Sequence, residues 1–281
     1  GWTRATGSVA HPPYLAAFFL LTVPIFMAFA LTLKSRTYRW LSIAVAVFGL
    51  AGLMCTLARL PIVVMMGQIG LLFILLTGLR MTPITRILAA STFAGLVLSA
   101  IALFGAELIY DRLSRDLESS VDQRVAEYKV ALDMLMDHPF FGVGLNNYAA
   151  FMEEYGSSTV WGIKQKWHDV ATQLTHMRLL PGPLNGFLYV ATVTGTIGLA
   201  TFLWLAFGGL VLSRRGIRNN SGPVRAACIG MLVGMVGLYL HQALSYSIWI
   251  DTVITVWIVL IGLAGCAAAN TGRTGTAAVF R

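Results

Sequence analysis

The chain has 281 residues, of which 57% are hydrophobic and only 11% charged, at a mean hydropathy of +0.74 and a formal net charge of +8. A soluble domain carries charge on roughly a quarter of its residues, so this chain lacks the polar surface to enclose its apolar content in water. A soluble globular protein is excluded, and the class that remains is a polytopic membrane protein whose apolar surface faces lipid.

A membrane span needs about 20 mostly apolar residues. Seven stretches meet that requirement: 14–33, 41–58, 60–79, 87–106, 184–212, 226–244 and 252–269. The expected fold is all-α, a bundle of about seven transmembrane helices with one large, partly helical extracytoplasmic loop. Residues 1–110 hold the first four spans, 111–183 the loop, and 184–281 the last three spans and a tail. The fifth stretch is longer than a bilayer requires and should tilt or extend beyond it. Inside the spans strongly polar residues are few, Gln68 and His241 among them, and the glycines Gly230, Gly234 and Gly237 suit close helix packing. Cys55, Cys228 and Cys266 lie far apart in apolar stretches and form neither a zinc nor a disulfide pattern. The chain opens on Gly1 with nothing like a basic signal segment, and is expected to be the C-terminal part or a fragment of a longer protein.

The connections between spans sort by charge. One set holds Lys34, Arg36, Arg39, Arg80, Arg86, Arg214, Arg215, Arg218, Arg225, Arg273 and Arg281, with no acid. Short, purely basic loops mark the cytoplasmic face. The other side holds all twelve acids beside nine basic residues. The N-terminal edge is therefore read as outside and the C-terminal tail as inside. The basic excess follows from topology and gives no nucleic-acid footprint.

Residues 111–183 form a connection far longer than the others, and such loops are usually functional. Val121, Val125, Tyr128, Leu132 and Leu135 recur at helical spacing, which predicts an amphipathic helix over 118–137. Pro139, Gly142 and Gly144 then interrupt it, and a second amphipathic piece is expected over 161–174. His138-Pro139-Phe140-Phe141-Gly142-Val143-Gly144 lacks the lysine and the preceding strand of a phosphate loop. It reads as a rigid turn seating the amphipathic helix against the membrane.

Four residues could carry chemistry. Arg59 sits between two spans with almost no loop, at the outer boundary, where its fork matches phosphate oxygens. The plainer alternative is an interfacial arginine snorkelling to water. Arg124 neighbours the apolar stripe of the loop helix and is placed to point into a cleft, or else is an exposed helix charge near Glu127 and Tyr128. His168 and His176 are candidates for a general base on a hydroxyl. No metal cluster, nucleotide site or cofactor motif is visible on the outer side. His241 reads as a buried, hydrogen-bonded histidine.

Three stretches together resemble the bacterial O-antigen ligase and O-antigen polymerase family. Residues 124–148, from Arg124 through His138-Pro139-Phe140-Phe141-Gly142-Val143-Gly144 to Tyr148, are similar to that family's arginine and "dhPlfGvGlgny" stretch. Leu184-Asn185-Gly186-Phe187-Leu188 with Thr194-Gly195-Thr196-Ile197-Gly198-Leu199 resembles its "HNxxL…xxGxxGL" span. Thr56-Leu57-Ala58-Arg59-Leu60-Pro61 resembles its "T-x-S-R-g-a" hairpin, and His11-Pro12-Pro13-Tyr14 its "hPNylA" stretch. The resemblance implies glycan transfer without a metal on the outer face of the bacterial inner membrane. The donor would be an undecaprenyl-diphosphate-linked glycan and the acceptor another glycan or a lipid-linked sugar. Arg59 and Arg124 would hold diphosphate, with Asn185, Gly142, Gly144, Gly195 and Gly198 as motif positions.

The sequence departs from the family in one respect. Ligases assign the base to the histidine of the HN pair, and here that position is Leu184. Either another group such as His176 or His168 accepts the proton, or the protein is polymerase-like, or it is a non-catalytic subunit of a polysaccharide assembly system. A polysaccharide-lipid transporter is the remaining alternative, disfavoured by spans almost without ionisable residues.

Overall fold

A computed structural model describes residues 12–56, 58–77, 117–145, 147–155, 183, 185–245, 247 and 251–270. Among the described residues there are eight helices and no strand: α1 Pro12–Thr32, α2 Arg36–Cys55, α3 Arg59–Thr77, α4 Leu117–Asp137, α5 Tyr148–Tyr155, α6 Gly186–Asn219, α7 Gly222–Gln242 and α8 Asp251–Ala269. All but α4 and α5 are long and apolar enough to cross a membrane. Six of the seven expected spans are thus present, and the one expected over 87–106 lies outside the described residues, as does the helix expected over 161–174. The protein is a multi-pass, all-helical membrane protein.

The chain divides into two compact units, one of Gly1–Leu98, Ala206–His241 and Ile248–Arg281, the other of Ser99–Leu205 and Gln242–Ser247. The first unit is a bundle of spans. Pro24 lies inside α1, and having no N–H it leaves the Leu20 carbonyl without its helical partner. Gln68 of α3 supplies the donor, its Nε2 lying 2.9 Å from the Leu20 carbonyl and 2.9 Å from that of Val233 in α7. One buried amide thus joins three helices. Small residues make that junction possible: a Cβ on Gly230 would lie 2.6 Å from the Ile25 Cα, and one on Gly234 would lie 2.6 Å from the Leu21 carbonyl oxygen. A Cβ on Gly237 would strike the Gln68 amide itself. Interfaces of small residues with a polar cross-link are how helices associate where lipid gives no hydrophobic drive between them.

At the arginine-rich end of the same unit, two asparagines complete α8. The last carbonyls of any helix lack internal donors. Asn219 donates to the Ala268 carbonyl at 2.7 Å and Asn220 to that of Ala267 at 2.8 Å. Asn270 in turn donates to the Asn220 side-chain oxygen at 3.1 Å. The C-terminal ends of α6 and α8 therefore lie together. His241, near the end of α7, is buried at 1% exposure.

In the second unit α4 begins within a residue of its expected start, but its buried face differs from the apolar stripe. Glu127, Val130, Ala131 and Met134 are buried, while Val125 is 59% and Leu132 48% exposed. The cause is a close approach at Ala131, whose backbone carbonyl receives the Thr192 hydroxyl of α6. A small residue that lets the Thr192 hydroxyl reach its carbonyl takes the buried position ahead of larger side chains one step round the helix. The short helix α5 has no sequence pattern of its own.

Candidate functional site

The second unit is organised around a break in α6. Asn185 starts the helix: its side-chain oxygen accepts from the N–H groups of Phe187 at 3.0 Å and Leu188 at 3.1 Å, an N-cap. The Gly186 N–H is bonded outside the helix, to the Ser245 carbonyl at 2.8 Å. Ten residues on from Asn185, Gly195 adopts φ 71° and ψ −174° and the helical ladder stops. Such a break releases the Thr192 and Val193 carbonyls and the Thr196 N–H, which in an unbroken helix would have bonded within it.

The turn after α4 takes up all three. The Val143 N–H donates to the Thr192 carbonyl at 2.9 Å and the Gly144 N–H to the Val193 carbonyl at 3.0 Å. The Pro139 carbonyl accepts from the Thr196 N–H at 2.8 Å and from its hydroxyl at 2.9 Å. Both partners need glycine there. Gly142 and Gly144 have φ of 65° and 92°, a region costly for other residues. A Cβ on Gly142 would strike the Thr192 carbonyl, and one on Gly195 the Phe140 carbonyl. Gly198 serves a different purpose, leaving room for the side chain of Thr194, whose hydroxyl donates to the Val190 carbonyl at 2.6 Å.

Neighbouring groups fix the turn at its flanks. The Thr192 hydroxyl is shared between the Leu188 carbonyl at 2.8 Å and the Ala131 carbonyl at 3.2 Å. The rings of Tyr148 and Tyr189 lie 5.8 Å apart, and His138 meets Phe151 edge to face at 5.4 Å. Tyr155 closes α5 onto the end of α4 by donating to the Asp137 carboxylate at 2.6 Å. That hydrogen bond, aided by slight desolvation and by the Asp137 charge, pushes the phenol up to about 12.

The sequence-derived site residues fall as follows. Arg59 is the first residue of α3, set by a tight hairpin in which the buried Thr56 hydroxyl donates to the Leu53 carbonyl at 2.7 Å and accepts from the Ala58 N–H at 3.3 Å. Arg124 is in α4, three residues before buried Glu127 and seven before buried Ala131. The side chains of both arginines lie outside the described residues, as do Leu184, His168 and His176. Gly142, Gly144 and Gly195 meet in the second unit as an interlock of backbone, while Asn185 caps the start of the same helix. The sequence reading found the turn but not its partner in α6. The available signal was glycine in both motifs, Gly142-Val143-Gly144 and Thr194-Gly195-Thr196, each implying backbone that other residues resist.

A family model described as O-antigen ligase matches residues 44–203. The match takes in Arg59, Arg124, the turn after α4, and α6 through its break. No curated protein matches the chain.

Proposed function

The chain belongs to the O-antigen ligase family, and from that membership we propose that it is a glycosyltransferase acting on lipid-linked glycan. It would move or polymerise a glycan carried on undecaprenyl diphosphate, on the outer face of the bacterial inner membrane. The acceptor hydroxyl oxygen forms a bond to the anomeric carbon. The bond from that carbon to the diphosphate oxygen breaks, and the carrier leaves as the diphosphate anion. The hydroxyl proton passes to a base, for which His176 and His168 are the candidates in place of the absent HN histidine at Leu184.

Departure of diphosphate requires cations where negative charge develops. Arg59 and Arg124 are proposed for that role. The observation that carries the reading is that the family match spans both arginines together with the interlocked turn and α6 break. Arg59 also stands at a helix N-terminus, where a cation opposes the macrodipole and so stabilises nothing in the helix, while both attract an anion.

The test is glycan transfer by Arg59→Ala and Arg124→Ala variants in membranes. A charge-assisted hydrogen bond contributes about 1.5–3 kcal/mol, which corresponds to a loss of roughly 10- to 150-fold in rate. Full activity in both variants overturns the assignment. His168→Ala and His176→Ala, assayed alongside, identify the base. Leu184 favours a second reading, a non-catalytic subunit of a polysaccharide assembly system. Its signature is transfer that is lost without the protein yet unaffected by all four substitutions.

A further inference from the structure

The turn that fills the α6 break also leaves its two aromatic side chains outside the protein: Phe140 is 64% and Phe141 77% exposed. Met136 and Leu145, on either side of them, and Ile197, just past the break, are exposed as well. An apolar patch of this kind on a folded unit marks a contact surface. From these positions we infer that the Phe140–Phe141 tip is a membrane anchor, seated in the outer boundary of the bilayer beside α6.

The length of α6 identifies lipid as the occupant. Counted from its break at Gly195 to Asn219, it runs 24 residues, about 36 Å of helix, enough by itself to cross the roughly 30 Å hydrocarbon core. The first charged residue after the apolar run is Arg214, nineteen positions beyond Gly195, or about 28 Å of helical rise. With Arg214 at one boundary of the core, Gly195 falls at the other. The break, and the turn bonded into it through Pro139 and Thr196, therefore sit at the interface. Aromatic residues concentrate at that level in membrane proteins. The tip thus fixes the height above the lipid at which the α4 turn is held.

The full chain, with exposed Cys55 and Cys266 replaced by alanine, is reconstituted in phosphatidylethanolamine–phosphatidylglycerol nanodiscs. A nitroxide is attached at Phe140→Cys or Phe141→Cys. Ile197→Cys serves as the lipid reference and Lys129→Cys, on the exposed face of α4, as the water reference. Collision with oxygen is expected to exceed collision with a water-soluble nickel complex at 140 and 141, as at 197, and the ratio to invert at 129. Nickel collisions exceeding oxygen at both tip positions would overturn the anchor. So would protection from both reagents, which means burial against protein. A photo-crosslinking amino acid at 141 gives a check that leaves the cysteines intact. Lipid adducts support the inference, and adducts to a second copy or another protein overturn it.

Discussion

Thr196 donates twice to the same acceptor, its backbone N–H lying 2.8 Å and its hydroxyl 2.9 Å from the Pro139 carbonyl. Those residues are 57 positions apart, and the bonds exist only because Gly195 has left the helical conformation. The break is costly alone and satisfied in company. The Thr192 and Val193 carbonyls and the Thr196 N–H of α6 are each answered by a group on the turn.

Gly195→Ala is expected to be strongly destabilising, since a non-glycine residue in this region of φ costs about 1–3 kcal/mol and its Cβ would meet the Phe140 carbonyl. Gly142→Ala should behave alike. Gly208→Ala and Gly262→Ala, whose Cβ would meet nothing within 4 Å, should leave the midpoint of thermal unfolding in detergent nearly unchanged. Equal midpoints for all four variants would contradict the interlock.

Asn185 is placed as an N-cap, and caps depend on an acceptor rather than on one side chain. Asn185→Ala should cost about 1 kcal/mol, while Asn185→Asp and Asn185→Ser retain most of the stability. Measured together with glycan transfer, retention of both stability and transfer in Asn185→Asp fits a cap alone. Retained stability with lost transfer would mean that the amide also acts on substrate.

Gln68 and Gly237 should be energetically coupled. A Cβ at position 237 would displace the Gln68 amide and with it the bonds to the Leu20 and Val233 carbonyls. Gln68→Ala and Gly237→Ala are each expected to destabilise the bundle, membrane hydrogen bonds being worth about 0.6 kcal/mol on average. The double variant should lose less than the sum, with a coupling of about 0.5–3 kcal/mol. Additive losses in a double-mutant cycle would show that the two act separately.

The Tyr155–Asp137 bond sets a pH dependence at the alkaline end. Because the phenol is raised from 10.0 to about 12, the protonated form is the one stabilised. Its contribution is complete below pH 10 and disappears as pH rises through 12. The difference in phenolate absorbance between the parent protein and Tyr155→Phe should therefore show a tyrosine ionising about two units late. An ionisation near 10 would mean the bond is not formed in solution.

The bundle was legible because lipid imposes a length and a composition on each span. The apolar runs gave α1, α2, α3, α7 and α8 with ends within five residues, whereas α6 continues seven residues past its apolar run. The stripe on α4 was less informative. Val125 and Leu132 match the helical period yet face outward, since Ala131 meets α6 through its backbone and backbone carries no hydropathy. The break at Gly195 was signalled by its glycine alone, for a related reason. Thr194-Gly195-Thr196 is apolar enough to continue a span, and only the distant turn at 139–144 shows what the glycine is for. Asn185 was found as half of a motif, whereas its capping bonds belong to geometry.

The asparagines that close the end of α8 constrain how the protein is inserted during its synthesis. Asn219 and Asn220 can reach the Ala268 and Ala267 carbonyls only if α6 and α8 have been threaded in the same direction, with α7 returning between them. A last helix inserted the wrong way round would leave those amides and carbonyls unmatched. Reporters of sidedness placed in the α6–α7 turn and after Asn270 must then agree, whichever compartment they register.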